Sequence, residues 1–198
     1  MKLERTPTTA LLLTVLIGLL LQASVVLAQE NPPVAAVAPQ ANPLTTHNNF
    51  SYRMLQKIVI RAAENVPEET YAYKPKETVR SFGAIVGHMA DAQYTFCSVA
   101  RREKNPKLNI EKTKTTKADL IAALKDAFSY CDKAYVGMTD ASAAETVKFG
   151  GADAPILGVL TMNQVHTTEH YGNLVTYMRL IDLVPPTSDP EFMKTLNK

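Results

Sequence analysis

The chain has 198 residues, 46% of them hydrophobic and 20% charged, which is the composition of a folded globular protein and excludes wholesale disorder. Lys and Arg total 21 against 19 Asp and Glu, a net charge of +2, so the chain lacks the basic field of a nucleic-acid binder. With 12 Pro, 8 Gly and no Trp, it suits a helical domain with punctuated loops better than a β-sandwich.

Residues 1–28 read as a cleavable signal peptide. Lys2 and Arg5 form a basic start, Ala10 to Leu21 an apolar run, and Val26-Leu27-Ala28 sets small residues where a signal peptidase cuts. Gln22 and Ser24 interrupt the run, which argues against an uncleaved anchor, so no stable membrane anchor is expected after cleavage. The mature protein is then exported, periplasmic or extracellular. Residues 29–45, with Pro32, Pro33, Pro39 and Pro43, read as an extended Pro/Ala-rich tether. His47 stands at its end with no partner at metal spacing and is left out of any site.

Four amphipathic helices follow, over residues 46–190, with 191–198 as a tail. In the first, Phe50, Met54, Ile58 and Ala62 repeat at i+4, Leu55 and Val59 widen the stripe, and Pro67 stops it. Ser81 is the expected N-cap of a second helix with Phe82, Ile85, Val86, Met89, Phe96 and Ala100 on its apolar face. Thr116 and Asp119 resemble a capping box for a third, with Leu120, Leu124, Ala127, Phe128, Cys131, Tyr135 and Met138. Pro155 is expected in the first turn of a fourth helix, with Ile156, Val159, Leu160, Asn163, His170, Leu174, Tyr177 and Ile181 on one face. No segment alternates at period two. Helices of this size, roughly 25–40 Å long, suit an all-α four-helix bundle.

Three of the four His stand out. His166 and His170 are four apart, which sets both imidazoles about 40° apart on one face, one turn from each other. They border the apolar stripe, and His88 stands at the edge of the stripe on the second helix. Three imidazoles from two helices would leave a coordination position open, as catalytic metal sites do. The string His166-Thr167-Thr168-Glu169-His170 also reads as H-x-x-E-H, the inverted zinc-protease motif, in which Glu169 would be the general base. Such proteases take a third ligand from far downstream, and only 28 residues follow His170, which makes this the remote alternative.

Cys97 and Cys131 are the only Cys, an even count in a chain expected to leave the cytoplasm, and both lie toward buried helix faces. A disulfide between them is the expectation.

Gly87-His88-Met89-Ala90-Asp91-Ala92, His166-Thr167-Thr168-Glu169-His170-Tyr171-Gly172-Asn173, Tyr177-Met178-Arg179-Leu180 and Val184-Pro185-Pro186 together resemble the DinB/YfiT family of metal-dependent enzymes. Val66-Pro67-Glu68-Glu69, Tyr73-Lys74-Pro75 and Arg80-Ser81-Phe82-Gly83 resemble one exported branch of it. The resemblance covers about residues 46–190 and implies a four-helix bundle of up-down-down-up order. It also implies one divalent metal, zinc or nickel, on His88, His166 and His170. The family commonly has Gln where Asn173 stands and often His or another residue where Glu169 stands, so the residues around the ligands differ. Several relatives are dimers, which makes a homodimer an expectation, although no stripe here is surplus to a monomer core.

The resemblance implies a metal-dependent transferase using a small thiol, or a hydrolase, acting on a small molecule of unknown identity. Export sets the two level, because small thiols are scarce outside the cytoplasm. Tyr94, Asn163, Glu169 and Tyr171 are candidates for orienting the substrate, and Glu169, beside a ligand in sequence, is the candidate catalytic residue. The alternative is a non-catalytic bundle that carries metal or binds a partner.

Overall fold

The computed structural model describes residues 40–196, so the signal-peptide reading, most of the tether and the last two residues lie outside it. The helices are α1 (Pro43–Asn65), α2 (Phe82–Ala100), α3 (Ile110–Thr113), α4 (Lys117–Tyr135), α5 (Asp140–Ala143), α6 (Ile156–Leu180) and α7 (Pro190–Leu196). Short 3-10 turns lie at Glu68–Ala72 and Pro186–Ser188. A hairpin of β1 (Thr146–Phe149) and β2 (Ala152–Pro155) precedes α6.

Helices α1, α2, α4 and α6 form the bundle. Both α1 and α2 pack on α4 and on α6, so α1 and α2 take opposite corners. Lys117 Nζ donates to the carbonyls of Glu64 and Val66 at 2.9 and 2.7 Å, joining the end of α1 to the start of α4. Asn48 Nδ2 donates to Thr161 Oγ1 at 3.2 Å, which brings the starts of α1 and α6 together. The Tyr177 hydroxyl donates to the Arg80 carbonyl at 2.8 Å, joining the end of α6 to the approach to α2. The order is therefore up-down-down-up. No helix among the described residues is long and apolar enough to cross a membrane.

Local signals place most boundaries. Ser81 Oγ accepts from Ala84 N, and Thr116 Oγ1 accepts from Asp119 N, as N-caps do. Helix α1 ends two residues before Pro67, as the proline requires. It begins at Pro43, however, inside the stretch read as tether. The cause is distant in sequence: Asp140 Oδ1 accepts from Thr45 N at 2.9 Å and Thr45 Oγ1 at 2.8 Å, and Oδ2 accepts from Leu44 N at 3.2 Å. A carboxylate from elsewhere thus satisfies amides that a helix start leaves open.

The stripe of α1 also differs from the expectation. Phe50 is 52% exposed, and Tyr52 takes the core position at 1%, stacked on Tyr135 with its hydroxyl donating to the Phe128 carbonyl at 3.0 Å. Met138 lies beyond α4, and Pro155 is the N-cap of α6 instead of a first-turn residue.

The hairpin was not expected. Its register runs from Thr146 opposite Pro155 to Phe149 opposite Ala152, closed by Gly150 and Gly151 at φ 59° and 84°. Two positive φ values in a two-residue loop suit the twist of a tight hairpin, and glycine adopts them without strain. Phe149 covers Phe96 of α2, with ring centroids 5.5 Å apart.

Cys97 and Cys131 are both fully buried where α2 meets α4, are paired as a disulfide, and have Cα atoms 5.2 Å apart. Beside them Asn163 Nδ2 donates to Gln93 Oε1 at 2.8 Å, and Gln93 Nε2 donates to Thr167 Oγ1 at 3.0 Å. This buried polar network lies one turn from His166 on α6.

Candidate metal centre

His166 and His170 project from consecutive turns of α6, and His88 meets them from the antiparallel α2. His88 Nε2 lies 3.1 Å from His166 Nε2, and His170 Nε2 lies 3.2 Å from the same atom. Three ring nitrogens, one from each residue, all lie within 4.8 Å of one another. His47, the fourth imidazole, is exposed on α1 and stacks on Phe50, apart from this cluster.

The outer ring nitrogens decide which protonation states are available. His88 Nδ1 faces the Glu111 carboxylate at 3.0 Å, and His170 Nδ1 faces Asn173 Oδ1 at 3.2 Å. Both partner oxygens accept, which in a neutral ring places the proton on Nδ1 and leaves the Nε2 lone pair facing inward. His166 Nε2 has at most one proton to offer two lone pairs, while its Nδ1 is buried without a hydrogen-bond partner among the described residues. A cation held between the three nitrogens removes that conflict. Ligand nitrogens on one tetrahedral zinc, each about 2.0–2.1 Å from it, stand about 3.3–3.4 Å apart, close to the 3.1 and 3.2 Å that separate His166 Nε2 from its two neighbours. The donor set therefore fits a divalent cation.

The electrostatics favour the neutral form of His166 and His88. Burial, with His170 and His88 beside it, pushes His166 down to about 4. Burial, Arg80 and His170 hold His88 below the usual imidazole value, although Glu111 pulls the other way. Burial works against ionisation of Glu111, but the Arg80 and His88 contacts outweigh it and keep its carboxyl below the ordinary range.

Two clefts flank the cluster. The larger, about 700 Å³, reaches His170 and is walled by Arg80, Glu111, Glu169, Asn173 and Tyr177 with Ile85. The smaller, about 250 Å³, reaches His88 and His166 past Phe96 and Thr95. Glu169 lines the larger cleft from an exposed position on α6. The other three residues expected to orient a substrate do not line it. Tyr94 packs on Tyr130, Asn163 is buried beside the disulfide, and the Tyr171 hydroxyl meets Thr187 Oγ1 at 3.0 Å. The third imidazole comes from α2, upstream of the H-x-x-E-H string and not downstream of it.

Glu111 and Arg80 were not anticipated as neighbours of the site. Arg80 appeared only within a motif, and Glu111 lies in a linker without periodicity. The Gly-His pair was the available signal, since a glycine before a ligand on a helix marks a close approach.

The family model described as the DinB superfamily matches residues 52–174, from the middle of α1 to the last third of α6, including all three His. The chain belongs to the DinB superfamily. Two solved structures share the DinB fold with it. A DinB-like protein from Bacillus cereus ATCC 10987 is 15% identical with a TM-score of 0.60, over 72% of this chain and 93% of that one. A DinB-like protein from Bacillus subtilis, YjoA, is 21% identical with a TM-score of 0.57, over 72% of this chain and 94% of that one. No curated protein matches this DinB chain significantly.

Proposed function

We propose that this protein is an exported, metal-dependent enzyme holding one divalent cation on His88, His166 and His170. The observation that carries the proposal is the convergence of His88 Nε2 and His170 Nε2 on His166 Nε2, at 3.1 and 3.2 Å, beside an open cleft. Zinc and nickel both suit imidazole donors and are the metals proposed. Such a cation, once bound, supplies Lewis acidity at the positions the protein leaves open.

The chain's own residues shape what reacts there. The larger cleft admits a small molecule, with Ile85 and the Tyr177 ring as an apolar wall and Arg80 and Glu169 as charged contacts. The Tyr177 hydroxyl holds the Arg80 carbonyl, which fixes the rim of the cleft against α6. Glu169 is the proposed proton carrier, since it is a carboxylate at the cleft wall beside ligand His170 in sequence. The reaction class is transfer to or from a small thiol, or hydrolysis. Export rests on the N-terminal sequence pattern, and the paired Cys97 and Cys131 agree with an oxidising compartment.

The test is to load the purified protein with zinc or nickel and assay thiol transfer and ester or amide hydrolysis, with Glu169→Gln alongside. Activity that depends on the metal and falls at least tenfold in the variant supports the reading. Stoichiometric metal with neither activity in any loaded form favours a non-catalytic metal-binding bundle.

A further inference from the structure

The residues around His88 show a support built from parts far apart in sequence. Helix α3 has only four residues, too short to persist alone, and it is tied to α2 at two points. Asp91 Oδ1 accepts from Ile110 N at 2.8 Å and Oδ2 accepts from Glu111 N at 3.0 Å, so one carboxylate secures its first two amides. One turn earlier on α2, Gly87 lets the chain approach so closely that a Cβ there would stand 2.7 Å from the Glu111 Cα. Together these set the Glu111 carboxylate against the Nδ1 edge of the His88 imidazole.

Glu111 then divides its two oxygens. Oε2 lies 3.0 Å from His88 Nδ1, and Oε1 accepts from Arg80 Nε at 2.9 Å. Arg80 Nη2 also lies 3.5 Å from His88 Nδ1, but a guanidinium cannot accept a proton and a carboxylate cannot donate one. The shorter contact therefore decides that Nδ1 is protonated and points at Glu111. Arg80 acts by steering the carboxylate.

We infer that Glu111, held by Asp91 and admitted by Gly87, is a positioning residue that locks His88 in the Nδ1–H tautomer and aims its Nε2 lone pair at the metal position. The inference rests on the reading of His88 as a metal ligand. Hydrogen bonds of this kind to ligating imidazoles orient the ring and raise its basicity, and their loss typically lowers metal affinity about 10–100-fold. The other two ligands are held differently, since His170 has the uncharged Asn173 and His166 has no partner at Nδ1 among the described residues. Among the described residues, His88 is the one member of the trio whose Nδ1 meets a charged group.

Two measurements on the folded protein test this, with circular dichroism and melting used to check each variant. In metal-free protein, long-range nitrogen–proton NMR of the His88 ring should show the Nδ1–H tautomer, and Glu111→Ala should shift it toward Nε2–H. In zinc titrations, Glu111→Ala should weaken binding about 10–100-fold. Asp91→Ala should reproduce much of that loss, and Glu111→Gln, with one acceptor oxygen where Glu111 uses two, should recover only part of it. A wild-type His88 protonated at Nε2, or a Glu111→Ala protein binding zinc within about twofold of wild type, would overturn the inference. A wild type that binds no zinc would refute the metal reading itself, and the tautomer measurement would still decide the role of Glu111.

Discussion

Gly87 and Glu111 meet backbone to backbone, and a Cβ on Gly87 would stand 2.7 Å from the Glu111 Cα and 3.0 Å from its nitrogen. Gly→Ala inside a helix ordinarily stabilises by about 1 kcal/mol, because glycine is a poor helix former. Here the neighbour of the added methyl would be backbone that Asp91 holds in place, so the sign should reverse, with an overpacking cost of about 1–3 kcal/mol. Gly87→Ala is expected to lower the melting temperature and weaken metal binding together. A variant more stable than wild type, with unchanged affinity, would contradict the close approach.

Stability of the metal-free protein should depend on pH through the half-buried imidazoles of His166 and His88. In the unfolded chain His166 takes up a proton near 6.5, but in the folded protein only near 4. Between those values the unfolded state binds more protons, so stability rises with pH across the window and is lost as pH falls below 6.5. His88 shifts in the same direction. Melting temperatures of metal-free protein should therefore be lower at pH 5 than at pH 7, and His166→Asn should flatten the difference. Equal slopes in the two proteins would contradict this account.

Tyr52 and Phe50 offer a direct test of how α1 faces the core. Tyr52 is 1% exposed and its hydroxyl contacts the Phe128 carbonyl and Asp132 Oδ1, both at 3.0 Å. Tyr52→Ala should cost about 3–5 kcal/mol as a large-to-small core change, and Tyr52→Phe about 1 kcal/mol for the lost hydrogen bond of its single hydroxyl proton. Phe50→Ala, at a half-exposed site, should change stability by less than about 0.5 kcal/mol. Denaturant melts measure all three.

The Cys97–Cys131 pair closes a loop with a sequence separation of 34. Chain entropy assigns such a crosslink roughly 3–4 kcal/mol. Replacing both residues by Ser should lower stability by about that amount, and the unfolded, unreduced wild type should show no reactive thiol. Two titratable thiols per chain would refute the bridge.

These sites also show what could be read from the sequence. Ser81, Thr116 and Pro67 act on residues within a turn of themselves, so the helices they bound were legible. His166 and His170 were legible because helical spacing alone brings them together. Phe50 and Tyr52 offered two overlapping registers, and only packing on Tyr135 chose between them. Nothing local to Asp140 reveals that it caps a helix whose first turn lies 95 residues away. The hairpin hid in two four-residue strands, although Gly150-Gly151 carried its turn signal. Glu111 reaches His88 only through a linker whose path depends on Asp91 and Gly87, a relationship no periodicity contains.

The most direct test of the three-imidazole centre is metal content and affinity in wild type and in four single His→Ala variants. Wild type should carry one divalent cation per chain, His88→Ala, His166→Ala and His170→Ala should each lose it, and His47→Ala should keep it. A wild type without stoichiometric metal after loading, or a loss in His47→Ala equal to the others, would contradict the assignment.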